Sequence, residues 1–500
     1  MPEIQSVSNY KKGIKGTSLF GGVQVFIIIT GMIKTKIVAV LLGPDGMGFM
    51  GLLTSTVNLI STYTNCGLAT SAVREIAASN SLRQDNKVSK TICALKRIIW
   101  FTGSAGALVC AILSPLWSYM CFNNYNYWGL FVILSISVLL TQLTLGRNAI
   151  LQGLRKYRYM AHSNIKGNVV GLIFIIPLYY IWKMNAIVPC MIVASAIAFI
   201  WANYYSKKAF NNKIKLSNKE VFIEGKDMMK MGLFISFQGI LSISCAYILR
   251  IFISNIGSVA EVGLYTAAFT VTNNYIGLIL NAMGTEYFPR LSGVSHDSKA
   301  FNNTINQQIE ICLLLIAPII PIFIIFINLI IKLFYSSEFL SIEGMLYWII
   351  LTMFLRAPSW AIVFSLLAKG NTKLLLFNEL IAKIYTISLD LIFYYNWGLT
   401  GLGISFMIGY ILYLPQVVFV CKKKYFLTFD YSILSFFVIQ LFLSIVCVLI
   451  INYTSDYKYL FGVIVIMIST YLSYRNLNKK INIKEILISK INDKFKSKKH

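Results

Sequence analysis

Seven ionisable side chains fall inside stretches of sequence that are otherwise apolar: Lys34, Lys36, Arg250, Arg356 and Lys383 are cationic, Glu379 and Asp390 anionic. Placing such a group in hydrocarbon costs about 2.5–3.5 kcal/mol on insertion scales, so it is expected to face a cavity or a partner. The excess of positive charge suits an anionic ligand. A guanidinium grips phosphate oxygens through paired hydrogen bonds, whereas an ammonium acts as a point charge. Lys36 and Arg250 also lie close enough to an interface to reach water instead. Glu379, Lys383 and Asp390 are spaced four and seven apart and so share one helical face. On that face Glu379 and Lys383 either neutralise each other or do separate work, the acids Glu379 and Asp390 coupling transport to an ion. Asn58, Asn273 and Asn274 supply amides for sugar hydroxyls, or for hydrogen bonds between helices.

Other chemistry is excluded by what is missing from the sequence. There is no GxxxxGK[ST], HExxH or GxSxG pattern, and the nine cysteines form no CxxC. No metal, cofactor or catalytic residue is expected, and the chain reads as a non-enzyme. A membrane glycan polymerase would need a sizeable external loop to carry acid and base groups. The longest loop on the sparsely charged side is LWSYMCFNNYNYW, which is too short.

The elements carrying these groups are helices that cross a bilayer. The 500 residues are 57% hydrophobic and 13% charged, with a mean hydropathy of +0.68. A soluble chain is about 45–50% apolar and about 25% charged. Fourteen apolar segments recur at 16–42, 46–73, 92–115, 127–146, 167–182, 185–205, 231–254, 262–285, 309–333, 345–368, 374–396, 399–420, 431–452 and 459–474. Transmembrane strands would be shorter and alternating, so the fold class is an all-α polytopic membrane protein of fourteen transmembrane helices.

Alternate loops are basic and hold 34 of the 45 Lys and Arg. Basic loops stay inside, which puts both termini in the cytoplasm. The net charge of +26 then reflects loops beside anionic membrane lipids and calls for no nucleic acid. In the tail, Ile and Leu alternate with Lys, as in a helix lying on the membrane or a solvated basic segment.

Residues 35–58 can be laid on 249–273 with one insertion, pairing Lys36 with Arg250, Gly43 with Gly257, Gly48 with Gly263 and Asn58 with Asn273. The offset spans six helices, so both copies run in the same direction. Parallel six-helix lobes are a transporter plan with the substrate between them. The expected division is an N-lobe over 1–206 (helices 1–6), a basic linker over 207–230, a C-lobe over 231–421 (helices 7–12), helices 13 and 14 within 422–475, and a basic tail over 476–500.

The opening run GTSLFGGVQVFIIITGMIKTKIVAVLLGPDGMGFMGLLTSTVNLISTYTNCGLATSAVREIA resembles the start of Wzx-type O-antigen and polysaccharide flippases, and LRAPSWAIVFSLLAKGNTKLLLFNELIAK at 355–383 is similar too. That family belongs to the multidrug/oligosaccharidyl-lipid/polysaccharide (MOP) exporter superfamily. The resemblance implies a V-shaped pair of lobes in the bacterial inner membrane. These would flip undecaprenyl-pyrophosphate-linked repeat units for O-antigen and lipopolysaccharide biosynthesis by alternating access, beside a polysaccharide polymerase and a chain-length regulator. In the related lipid II flippase the first helix carries a cavity arginine in a context like GxxRDxIVAxxxG. Here GMIKTKIVAVLLG puts Lys34 at that place and Thr35 at the acidic neighbour, which keeps the charge but departs from the pattern. A cation-coupled multidrug exporter of the same fold is the alternative; it would need an apolar cavity with an acidic residue in the first lobe, where spans one to six offer no clearly buried carboxylate.

Overall fold

The computed structural model describes residues 2–82, 84–210, 214, 216–453 and 457–481. Among them the secondary structure is helical, and ten helical stretches are long and apolar enough to cross a membrane. Of the ten, Tyr157–Ala209 and Thr372–Tyr425 each contain two of the apolar segments, and Ile29–Asn65 joins parts of the first two. Most of the tail, 482–500, lies outside the described residues.

The breaks inside the long helices have local causes. Pro2–Asn65 is interrupted at Gly43, whose φ of 63° and ψ of −167° belong to a region only glycine occupies readily. Pro44 then opens the second half, because its ring presets a helical φ and its missing N–H falls where no intrahelical bond is made. Thr372–Tyr425 breaks in the same way at Gly398, with φ 56° and ψ −141°. Helix Asn218–Ile256 begins well before its apolar stretch because Ser217 and Glu220 cap it reciprocally, each side chain bonding the other's backbone N–H.

The contacts divide the chain into two units. The first holds the described residues up to Ala267 together with Leu333–Phe339; the second holds Ala268–Lys332 and the described residues from Leu340 on. Helix Asn218–Ile256 and most of Val259–Thr270 therefore pack with the first unit. At the core of that unit, Leu68, Ile76, Ile92, Leu95, Ile99, Leu143 and Ile150 are buried together. In the second unit, helix Glu343–Ala368 is buried along most of its length and packs against Thr372–Tyr425, Ser298–Ile316 and Gly277–Gly293. Tyr287 fixes one of these contacts by donating to the Ala361 carbonyl at 2.9 Å.

The two copies of the repeated motif meet inside the first unit, at equivalent positions. A Cβ on Gly48 would lie 1.7 Å from the Val259 carbonyl oxygen, and one on Gly263 would lie 2.0 Å from that of Pro44. In the alignment Gly48 pairs with Gly263, and the same offset carries Pro44 onto Val259. The contact is thus reciprocal, and it brings two helix backbones together at a separation that only glycine permits. Long-range bonds to backbone carbonyls also hold these helices in the first unit. Ser254 donates to the Cys121 carbonyl at 2.6 Å, while Lys36 donates to the carbonyl of Tyr335, whose hydroxyl donates to Ala267 O at 3.0 Å.

Candidate functional site

Lys34 lines a cavity of about 130 Å³ inside the first unit. Helix Tyr157–Trp182 contributes Ser163, Asn164, Gly167, Asn168 and Gly171; Thr144 comes from Trp128–Gly153, and Ala194 and Ala198 from Ile187–Ala209. Thr30 and Gly31 lie one turn before Lys34 on its own helix. The lining holds one ammonium, hydroxyls and amides, and no carboxylate. Asn168 donates its amide to the Asn164 carbonyl at 2.9 Å, leaving its side-chain oxygen as an acceptor. A Cβ on Gly31 would meet no atom within 4 Å, and one on Gly171 would meet only Ile175 Cδ1 at 4.0 Å. The cavity is therefore open at these glycines, and it can hold an anion against the Lys34 ammonium with neutral donors and acceptors around it.

The other sequence candidates sit elsewhere. Lys36, two residues on and so on another face of the helix, bonds the Tyr335 carbonyl. Arg250 stacks on Tyr265 at 5.4 Å, donates to Ala246 O at 3.2 Å, and keeps its buried Nε without a hydrogen-bond partner. Asn58 is exposed. In the second unit Arg356 Nη1 donates to Asn273 Oδ1 at 2.7 Å, which brings two candidates together. Asn273 sits in a π-helical turn, Val271–Ile276, a form of helix frequent at functional sites. The side chain of Asn274 lies outside the described residues.

Glu379, Lys383 and Asp390 share a helix but do not form one cluster. Glu379 accepts from the Tyr413 hydroxyl and makes no ion pair with Lys383. An ion pair elsewhere in the second unit joins Glu286 to Arg290, at 3.2 Å. Asp390 Oδ1 accepts from Ser405 Oγ at 2.5 Å, across the Gly398 break. Each acid is thus served by a hydroxyl from the following helical segment, and Lys383 is half-buried between them along the helix.

Sequence reasoning found Lys34 and missed the rest of its cavity. The signal was present in Ser163, Gly167 and Gly171, and in Asn164 and Asn168, small or polar residues recurring every four positions in an apolar helix. Such a row reads equally as helix-packing residues, and only the open space beside it tells the two apart.

Solved structures share this fold. A lipid II flippase MurJ in an inward closed conformation matches with a TM-score of 0.64 at 16% identity, covering 93% of this chain and 99% of that one. An inward-facing multidrug resistance MATE family transporter of the MOP superfamily matches with 0.62 at 15%, covering 82% and 96%. A single-residue mutant of the Vibrio cholerae MATE transporter VcmN gives 0.54 at 14%, covering 82% and 100%. No curated protein matches the sequence. At these identities the likeness shows the fold: an all-α polytopic membrane protein built like flippases and exporters of that superfamily. The sequence itself matches a family model described as "Polysaccharide biosynthesis protein" over residues 37–343, more than half of its length, and the chain belongs to that family.

Proposed function

We propose that this protein is a flippase that moves a lipid-linked oligosaccharide, carried on undecaprenyl pyrophosphate, across the bacterial inner membrane by alternating access. The observation that carries the reading is the Lys34 cavity: a cation with hydroxyls and amides and no acid in the lining. A diphosphate needs a positive charge and neutral hydrogen-bonding groups, and a sugar needs the same neutral groups. A cationic drug would need a carboxylate there, so the cavity speaks against the exporter alternative. Family membership agrees, because a polysaccharide biosynthesis protein without catalytic motifs, in a transporter fold, suits the movement of a precursor.

In this reading the substrate is an O-antigen or related repeat unit, and the fourteen spans leave both termini in the cytoplasm. Arg356, held by Asn273, offers a second anion contact in the second unit, and Asp390 with Ser405 is the coupling candidate. Partner enzymes would be a polysaccharide polymerase and a chain-length regulator. The test is complementation of a flippase-null strain. Lys34→Ala is expected to abolish it and Lys34→Arg to retain part. An alanine variant expressed normally and active as wild type would remove Lys34 from the site.

A further inference from the structure

A second group of cations lies in the first unit, outside the Lys34 cavity. Lys96 is on helix Asp85–Ile112, Arg147 on Trp128–Gly153 and Lys207 in the last turn of Ile187–Ala209. The first two helices cross very closely, since a Cβ on Gly146 would lie 2.4 Å from Ile99 Cδ1. Lys96 and Arg147 emerge side by side from that crossing, and with Leu95, Ile99, Leu143 and Gly146 they line a narrow cleft. Lys207, exposed, ends a helix that packs against Trp128–Gly153, the helix of Arg147, and both cations act on Lys96 with no carboxylate among the groups doing so. None of the three cations makes a hydrogen bond or ion pair with a described residue. Lys96 and Arg147 are half-buried, unlike cations spread through a solvated loop.

Holding like charges together with part of their water removed is unfavourable unless an anion joins them. We propose that Lys96, Arg147 and Lys207 form a binding site for the phosphate of an anionic membrane phospholipid. Arg147 supplies a planar pair of donors, and the two lysines supply charge. The apolar residues beside the cluster favour a lipid over free phosphate. Trp100, one turn from Lys96, is 49% exposed; Tyr204 and Ile200, one and two turns from Lys207, are 53% and 60% exposed. Acyl chains lie along these side chains while the headgroup phosphate meets the cations.

Native mass spectrometry of the full-length protein tests this with dioleoylphosphatidylglycerol, dioleoylphosphatidylcholine and inorganic phosphate as probes. The expected result is a tight phosphatidylglycerol adduct, no comparable phosphatidylcholine adduct, and no displacement by millimolar phosphate. Lys96→Gln with Arg147→Gln should weaken the adduct about 25-fold, a factor of about five for each charge removed near a membrane surface. The charge-preserving pair Lys96→Arg with Arg147→Lys should keep it. So should Lys156→Gln with Arg158→Gln, which removes two cations of the same unit outside the cluster. A folded glutamine pair that binds phosphatidylglycerol like wild type overturns the proposal, as does equal loss in the Lys156/Arg158 control. Displacement by inorganic phosphate would make this a free-anion site and also overturn it. If the glutamine pair does not fold, Lys207→Gln alone, with an expected loss of about fivefold, decides in the same way.

Discussion

Gly31→Leu separates the Lys34 cavity from the fold around it. Gly31 lines the cavity and nothing lies within 4 Å of where its Cβ would go, so the new side chain is expected to fill open space beside Lys34 without striking a neighbour. Replacing a helical glycine by a good helix former is worth up to about 1 kcal/mol in the folded state, so stability should hold or rise slightly. Binding should suffer, because the leucine takes the space in which an anion would meet the Lys34 ammonium. A hydrogen bond to a charged group contributes about 1.5–3 kcal/mol, which corresponds to roughly 10- to 150-fold in affinity. The assay pairs thermal denaturation in detergent with complementation and with binding of a lipid-linked diphosphate. The expected outcome is an unchanged or slightly raised melting temperature together with loss of binding of that size. Lys34→Met should give a similar loss by removing the charge instead of the space. A Gly31→Leu protein that is folded, binds and complements as wild type would refute the cavity as the site. A protein that unfolds would refute the reasoning from open space.

Three further outcomes test the packing. Tyr413→Phe strips Glu379 of its hydroxyl donor and should cost about 1–3 kcal/mol in thermal or denaturant unfolding, whereas Tyr413→Phe with Glu379→Leu should recover most of the loss, since removing both partners leaves no unsatisfied group. Gly48→Ala or Gly263→Ala puts a methyl onto a carbonyl oxygen at 1.7 or 2.0 Å, forcing the helices apart at a cost on the order of 1–3 kcal/mol; wild-type melting of both variants would count against the close contact. The Ser217 backbone N–H and hydroxyl hold the Glu220 carboxyl below its ordinary range, so the cap is fully present above the unfolded value near 4.5 and is lost as pH falls through the lower folded value. Hydrogen exchange at the start of that helix should speed up as pH drops through this window, after correction for intrinsic rates, and Glu220→Gln should flatten the response.

The positions of the apolar helices were legible because hydropathy is a property of long windows, and the break at Gly43 falls in the gap between the segments 16–42 and 46–73. Where the chain turns without becoming polar, hydropathy does not register it. The second segment reads as apolar through residue 73, yet the helix ends at Asn65 and restarts at Leu68 across a left-handed Gly67. The early start of helix Asn218–Ile256 is readable only through its capping pattern, Ser217 followed three residues later by Glu220. The π-helical turn at Val271–Ile276 leaves no trace in the pattern. In the site, a lone lysine in an apolar helix announces itself, which is why Lys34 was accessible. Its hydroxyl and amide neighbours come from other helices, and nothing in a one-dimensional spacing says which faces converge. The same holds for Glu379 and Asp390. The shared helical face offers Lys383 as one partner for Glu379 and none for Asp390, but tertiary packing gives them Tyr413 and Ser405.

The segment Leu333–Phe339 has a consequence for how the protein is made. It belongs to the first unit although about 65 residues of the second unit precede it in the chain. Its bond from Lys36 spans 299 positions, so the contact must wait until the first stretch of the second unit has been synthesised. At roughly 5–20 residues per second, about 4–14 s pass between emergence of Ala267 and completion of Phe339. During that interval the early helices can insert and pack on one another, but the surface that receives Tyr335 stays uncovered. Completion of the first unit is thereby tied to translation of the opening stretch of the second, Ala268–Lys332. A nascent chain released near residue 267 would carry every early helix and still be missing a piece of its own first unit.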